Sequence, residues 1–178
     1  MVTKYPPWFI YKPDIHRTKG EDVRKVLDVI EPADFLLRRF DNYLNTIFTP
    51  GWFGHAGFNA GENTVGHSTS EGFHEEDILN FLRADSIAIL RKKGITQDER
   101  TRMIGREKLL ARMKPGYDFD FSSVNDDYYC TESVDIIADH LFHNDYTKVG
   151  GNLVLTPDGM LRSKEVDVIL TINYEVIS

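Results

Sequence analysis

The sequence contains one cysteine, Cys130, so no disulfide can form within the chain. Packing must therefore hold the fold of these 178 residues, and a hydrophobic fraction of 41% with an aromatic fraction of 12% is enough for a core. No apolar run approaches the ~20 residues of a membrane-spanning helix, so we expect no integral membrane segment. The first residues also lack the basic-then-apolar pattern of a signal peptide, and we expect a cytoplasmic protein.

Positive charge is scarce. Lys and Arg number 21 against 28 Asp and Glu, which gives a net charge of −7 and a pI of about 5.3. Binding to nucleic acid through its phosphates needs clustered positive charge, so we expect no nucleic-acid partner. Phosphate-binding glycine loops and the Gly-x-Ser-x-Gly elbow of serine hydrolases are missing as well.

Hydrophobic periodicity predicts an α+β fold with a mainly antiparallel sheet. We predict strands at 35–39, 52–58, 64–68, 86–90, 117–121, 153–155 and 166–172, and helices at 23–30, 75–83 and 97–114 and from Cys130 onward. Turns are predicted at 49–51 and 157–159. We expect one domain overall, with an arm and short helix over 1–30 and the main domain over 31–178.

Cys130 lies where a strand-like segment gives way to a helix. At a helix amino terminus, the macrodipole and free backbone N–H groups stabilise a thiolate, and the thiol pKa can fall well below its usual value of about 8.5. Such a thiolate is a nucleophile. The alternative is that Cys130 is a buried structural cysteine, which is the commoner role of an unpaired cysteine.

His55 and His67 flank the predicted hairpin turn at 61–63. With a three- or five-residue loop they lie directly opposite each other on one face of the sheet, whereas a two- or four-residue loop turns them to different faces. On one face they suit a general base and the residue that orients its ring. They also suit two metal ligands, but only His74 or Glu75 is near enough to be a third, and we expect no metal.

The remaining polar clusters favour ordinary surface roles. Asp118 and Asp120 are predicted on the solvated face of the strand at 117–121. The segment at 125–127 is typical of a turn, because the Gly and Glu of a calcium-binding loop do not follow it. The other histidines are predicted at the surface or on a helix face: His16, His140 and His143.

Four segments together resemble the circularly permuted papain-like amidases, the NlpC-type cysteine hydrolases of the YaeF/YiiX group. They are Pro-Ala-Asp-Phe-Leu-Leu at 32–37, Pro-Gly-Trp-Phe-Gly-His-Ala-Gly at 50–57, Tyr-Asp-Phe-Asp-Phe at 117–121 and Tyr-Cys-Thr-Glu at 129–132. The resemblance covers roughly residues 31–141. It implies a permuted papain-like fold, in which a histidine on a strand precedes a cysteine at the start of a helix.

The resemblance also implies roles for individual residues. Cys130 matches the nucleophile, His55 the general base and His67 the position that orients the base, where several members of the group have Glu. Tyr117 matches an aromatic position near the site and Glu132 follows the nucleophile, so both are candidate substrate-binding residues. The family brings no metal and no organic cofactor.

Three functions are compatible with these patterns. The first is a cysteine peptidase or amidase that cleaves small peptides or peptidoglycan-like substrates through a thioester acyl-enzyme. The second uses the same thiol to transfer or hydrolyse lipid acyl chains, because a histidine in the third position is familiar from the lecithin:retinol acyltransferase-like branch. The third is a non-catalytic binding module on the same fold.

Overall fold

The computed structural model describes residues 16–41, 51–121, 126–149 and 151–174. Most of the predicted arm, and two of the three residues of the turn at 49–51, lie outside these ranges. The helices are α1 (Gly20–Val29), α2 (Ile78–Phe81), α3 (Gln97–Met113), α4 (Cys130–Ile137) and α5 (Pro157–Arg162). The strands are β1 (Phe35–Arg39), β2 (His55–Gly61), β3 (Thr64–Thr69), β4 (Gly72–Asp77), β5 (Ser86–Lys92), β6 (Thr147–Val149), β7 (Asn152–Val154) and β8 (Val166–Ile172).

A six-stranded sheet in the order β4-β3-β2-β1-β5-β8 forms the centre of the molecule. Every neighbouring pair in this sheet is antiparallel, and β6 and β7 form a separate antiparallel pair. The prediction of an α+β fold with a mainly antiparallel sheet packed against helices is confirmed. Among the described residues, no helix has both the length and the apolar character that crossing a membrane requires.

Both faces of the sheet are covered by apolar side chains. Since side chains alternate along a strand, Phe35 and Leu37 of β1 face one core and Leu36 faces the other. The first core also contains Val134 and Ile137 of α4. The second core holds residues from α1, β3, α2 and β5, namely Val26, Val65, Ile78, Phe81, Ile87 and Ile89. A strand buried on both faces reads as a continuous apolar run, which is why the sequence predicts β1 so well.

Two helix starts match the sequence prediction. In α3, the Thr96 side chain accepts a hydrogen bond from the Glu99 N–H while the Glu99 carboxylate accepts one from the Thr96 N–H, which is the predicted capping box. Helix α4 begins at Cys130 as predicted. Its first turn is fixed to the rest of the molecule, because the Thr131 hydroxyl donates to the Leu155 carbonyl at 2.6 Å.

The strand predicted at 117–121 is wrong. The segment is a loop in which Asp118 is 2% exposed and its Oδ1 accepts a hydrogen bond from the Asp120 N–H at 2.9 Å. Phe119 is 53% exposed, so Asp118 and Phe119 have exchanged the places that we expected, whereas Asp120 is exposed as predicted. The aspartate side chain satisfies the backbone locally, which stabilises a turn in competition with a strand.

Two further boundaries differ from the prediction. The residues at 75–77 continue strand β4, and only one helical turn, α2, follows them. The Asp77 side chain caps that turn by accepting from the Leu79 N–H at 2.8 Å. The turn predicted at 157–159 is the start of helix α5, in which Pro157 occupies the first turn and the Thr156 side chain accepts from the Gly159 N–H.

Candidate active site

The β2–β3 hairpin positions both candidate histidines. Its loop is the two-residue pair Glu62 and Asn63, both with positive φ, and Gly61 pairs with Thr64 across it. A loop of that length alone would turn His55 and His67 to different faces. The register shifts between Asn59 and Gly61, however, and this bulge restores a shared face.

The bulge makes His55 and His67 diagonal neighbours, so the direct pairing that an odd loop would give does not occur. Phe58 pairs with Gly66, so continuation of the same register places Gly57 opposite His67. The two rings nevertheless meet, with His55 Nε2 and His67 Nδ1 2.8 Å apart and the ring centroids 5.0 Å apart. Diagonal neighbours in a sheet remain within reach of long side chains.

The sulfur of Cys130 lies beside the start of β2. The backbone N–H groups of Ala56, Thr131 and Cys130 itself act on this sulfur and lower its pKa. Pairing between β2 and β3 extends from the hairpin turn as far as Phe58 and Gly66. Ala56 lies two residues before Phe58 in β2, and its N–H acts on the sulfur. Ala56 directly follows His55 in β2, so the group that acts on the sulfur is one residue from the candidate base.

Burial governs the charge state of the site. It raises the pKa of the Cys130 thiol above its ordinary value, although the three N–H groups and the positive charge of Arg38 act in the opposite direction. Burial, together with the charge of Arg38, lowers the pKa of His55 well below its ordinary range and that of His67 to about 2. The site at rest therefore contains a neutral thiol and two neutral imidazoles.

The lowered thiol pKa that the helix start led us to expect is wrong for this resting state. The helix N-terminus does act on Cys130, since the Thr131 and Cys130 N–H groups lower its pKa. Desolvation is the larger effect because Cys130 is only 7% exposed. The sequence shows where a helix begins but not how deeply its first residue is buried.

The sequence does not predict Arg38 and Glu76 as neighbours of the site, and it offers a third neighbour, His74, only as a possible metal ligand. Arg38 of β1 pairs with His55 in the sheet register, is 9% exposed and holds its guanidinium 4.1 Å from the centre of the Phe81 ring. His74 of β4 pairs directly with His67, with ring centroids 4.5 Å apart. Glu76 has its Oε2 3.1 Å from Arg38 Nη1 and 3.4 Å from His67 Nε2.

The sequence carries only a weak signal for these neighbours. Arg38 shares the face of Leu36 in the strand predicted at 35–39, and a charged residue is rarely buried without a partner. The residues at 73–77 lack a strict apolar–polar alternation, and the helix predicted at 75–83 assigned Glu76 to the wrong kind of element.

The two candidate substrate-binding residues lie on the segments that lead into α4. Tyr117 is half-buried and follows Gly116, whose N–H donates to the Asp127 carboxylate and whose carbonyl accepts from the Tyr128 N–H. These bonds tie the loop to the residues directly before Cys130. Glu132 is two residues after Cys130, and burial, with the nearby Asp118, raises its pKa to about 7.

The histidines do not form a metal site in this geometry. Within residues 16–41, 51–121, 126–149 and 151–174, no group of three or more His, Cys, Asp or Glu side chains is arranged to hold a metal ion. The 2.8 Å between His55 Nε2 and His67 Nδ1 is a hydrogen-bond distance. Two nitrogens bound to one tetrahedral zinc ion would lie farther apart, at roughly 3.3 Å for Zn–N bonds of about 2.0 Å.

The fold and the order of these residues, with the strand histidines before the helix-start cysteine, define the permuted papain-like class. The crystal structure described as metalloprotein yiiX from Escherichia coli O157:H7 is similar, with a TM-score of 0.58 and 12% sequence identity over 79% of this chain and 96% of that chain. The chain belongs to the family of permuted papain-like amidase enzymes, YaeF/YiiX, whose model matches residues 30–171. A comparison with curated proteins found no match.

Proposed function

We propose that this protein is a cysteine amidase that acts through a thioester acyl-enzyme, with Cys130 as nucleophile, His55 as general base and His67 as the residue that orients His55. The observation that carries the proposal is the hydrogen-bonded histidine pair beside the N–H of Ala56, which itself reaches the Cys130 sulfur. Membership of an amidase family supports the amide as the bond that is cleaved.

The neutral resting state determines how the nucleophile is activated. A thiol with a raised pKa beside an imidazole with a lowered pKa does not form a stable thiolate–imidazolium pair. The proton therefore leaves the sulfur as the sulfur attacks the substrate carbonyl, which is general-base catalysis. His55 Nε2 is held by His67, and among the described residues Nδ1 makes no hydrogen bond, so Nδ1 is the nitrogen that takes the proton.

The chemical steps follow from these positions. Attack of the sulfur forms the S–C bond and places negative charge on the carbonyl oxygen, where backbone N–H groups at the start of α4, including that of Cys130, stabilise it. Collapse breaks the C–N bond, and His55 transfers its proton to the leaving amine. Water then attacks the thioester carbonyl and loses a proton to His55. Collapse breaks the C–S bond, and His55 returns the proton to the sulfur, which releases the carboxylic acid and restores the free thiol.

Tyr117 and Glu132 are proposed to contact the substrate. Glu132 Oε2 is buried and has no hydrogen-bond partner among the described residues. A carboxyl group with a pKa of about 7 can donate or accept a hydrogen bond near neutrality, and an amide substrate offers partners for both. Tyr117 supplies an aromatic surface on the loop tied to the segment before Cys130.

The test is hydrolysis of a panel of dipeptide amides by the wild-type protein and by Cys130→Ala and His55→Ala. We expect Cys130→Ala to be inactive and His55→Ala to lose about 10²-fold or more in kcat. His143→Ala is the matched control, because His143 is exposed and its Nδ1 lies 3.0 Å from the His140 carbonyl, in the turns that follow α4. Full activity in Cys130→Ala contradicts the proposal.

A second candidate is acyl transfer or hydrolysis on lipid esters, favoured by the presence of a histidine, His67, in the orienting position. The same variants and an ester panel of increasing chain length separate the two functions. Faster turnover of long-chain esters than of dipeptide amides supports the second candidate. An absence of thiol-dependent turnover on both panels supports a binding module.

A further inference from the structure

The orientation of His67 depends on a group that has no part in the proposed reaction steps. The His67 ring is 1% exposed, and its Nδ1 is engaged by His55 Nε2. Its other nitrogen, Nε2, is buried and makes no hydrogen bond within the described part of the chain. The Glu76 carboxylate, on the adjacent strand β4, faces this nitrogen with Oε2 3.4 Å away.

A neutral imidazole carries its proton on one nitrogen and a lone pair on the other. Beside a carboxylate, an N–H group is electrostatically favourable and a lone pair is unfavourable. Glu76 therefore favours the His67 tautomer with the proton on Nε2. That tautomer presents a lone pair at Nδ1, which can only accept from His55 Nε2.

The tautomer of His67 determines the tautomer of His55. If His67 Nδ1 accepts, His55 must carry its proton on Nε2, and its Nδ1 then holds the lone pair that a general base needs. The opposite tautomer of His67 would make its Nδ1 a donor, place the His55 proton on Nδ1 and block proton removal from Cys130. The Glu76 carboxylate therefore determines whether His55 can act as a base.

We propose that Glu76 is a positioning residue that fixes the tautomers of His67 and His55, so that His55 Nδ1 is free to accept the thiol proton. The use of that tautomer in catalysis rests on the proposed function, whereas the tautomer itself does not. Arg38 completes the arrangement, because its Nη1 lies 3.1 Å from Glu76 Oε2 and this ion pair holds the carboxylate in place beside His67.

Heteronuclear NMR of isotope-labelled histidine rings tests the proposal without any substrate, since each ring nitrogen reports directly whether it bears a proton. We expect the Nε2–H tautomer for both His55 and His67 in the wild-type protein. In Glu76→Gln, the amide can donate to His67 Nε2, and we expect signal from the Nδ1–H tautomer to appear. Glu75→Gln is the matched control, because the exposed Glu75 precedes Glu76 on β4 and points to the other face.

The outcomes separate this proposal from the proposed function. An Nδ1–H tautomer for His67 in the wild-type protein overturns the proposal whether or not Glu76→Gln folds. So does a spectrum of a folded Glu76→Gln that matches the wild type. If Glu76→Gln does not fold, Glu76→Asp keeps the charge, and we expect it to keep the wild-type tautomers. Inactivity of the wild-type protein on every substrate would count against the proposed function and leave the tautomer result standing.

The rate of Cys130 acylation tests whether these tautomers matter for catalysis. Acylation of Cys130 by an activated ester should be at least about tenfold slower in Glu76→Gln than in Glu75→Gln, because a fraction of His55 would hold its proton on the wrong nitrogen. Equal acylation rates in the two variants would show that the tautomers do not limit the reaction and would overturn the positioning role.

Discussion

At the scale of single residues, Cys130 experiences opposing electrostatic effects. Burial favours the neutral thiol, while Arg38 and the backbone N–H groups of Ala56 and Thr131 favour the thiolate. Burial is the larger influence, so under the proposed mechanism the nucleophilic form is created only as the proton moves to His55. An arrangement of this kind protects the thiol from oxidation and alkylation between turnovers, because the thiolate is the reactive form.

The raised thiol pKa has a measurable consequence. We expect alkylation of Cys130 by iodoacetamide to reach its half-maximal rate at a higher pH in the folded protein than in the protein unfolded by urea. The reason is that unfolding returns the sulfur to water. Intact mass spectrometry reads the reaction without ambiguity, since Cys130 is the only cysteine. A folded-state midpoint below the unfolded one would show that the helix start outweighs burial.

At the scale of elements, the β2–β3 hairpin determines whether the histidines meet. The sequence predicts the hairpin itself from two short segments around a Gly-Glu-Asn turn. It does not predict the bulge between Asn59 and Gly61. There the Asn59 side chain accepts a hydrogen bond from the Gly61 N–H at 3.1 Å, and a local contact of this kind leaves no periodic pattern in the sequence. A shift of one residue in register would separate the histidines, so the site depends on this detail.

Gly57 of β2 lies in a closely packed part of the hairpin. A Cβ atom there would lie 2.7 Å from Val65 Cγ1 and 2.8 Å from the Phe81 ring, which also contacts both histidines. We expect Gly57→Ala to lower the free energy of unfolding by about 1–3 kcal/mol and to reduce activity.

Gly105 of α3 is the matched control for this substitution, because a Cβ atom added there would meet no described atom within 4 Å beyond the backbone of its own helix. Gly105→Ala should raise the free energy of unfolding by about 0.5–1 kcal/mol, since alanine is the better helix former. Urea unfolding of the two variants measures both effects. Equal stability changes in the two variants would mean that the packing around Gly57 is not limiting.

The elements that the sequence predicts are those with strong local signals. Strands β1, β5 and β8 are long apolar or alternating runs, and α3 begins with a capping box at Thr96. The errors fall where a side chain satisfies the backbone locally, as Asp118 does, or where an edge strand carries acidic residues, as β4 does at Glu75 and Glu76. Acidic residues are also typical of helix starts, so the pattern was ambiguous.

At the scale of the whole molecule, the candidate site draws on residues far apart in the chain. Arg38, His55, His67, Glu76 and Cys130 come together only through the order of the sheet and the packing of α4 against it. No local pattern brings Arg38 or Glu76 to the site. The resemblance to the permuted papain-like amidases points to Cys130 and His55 because both lie in segments that carry it, and to His67 through its place on the strand that follows His55.

A buried acid also links the stability of the whole fold to pH. Glu107 of α3 is fully buried, neither of its carboxylate oxygens has a hydrogen-bond partner among the described residues, and burial raises its pKa from 4.5 to about 7. Between these two values the folded protein keeps a proton that the unfolded chain has released. The free energy of unfolding therefore falls as the pH rises through this window and levels off above it.

Glu107→Gln tests that linkage. The amide is neutral at every pH, so we expect the variant to gain stability relative to the wild type as the pH rises from about 5 to about 8, with little difference at about pH 4. Urea unfolding across this range measures the effect. Glu71→Gln, at an exposed position, is the control and should show no such trend. A pH-independent difference between Glu107→Gln and the wild type would contradict the account.

Acylation by p-nitrophenyl acetate tests most directly whether His55 activates Cys130, because no natural substrate is needed. Intact mass spectrometry should show one acetyl group on the wild-type protein, none on Cys130→Ala, and a rate about 10²-fold or more lower in His55→Ala than in His143→Ala. Acetylation of Cys130 at equal rates in the two histidine variants would show that His55 does not activate Cys130.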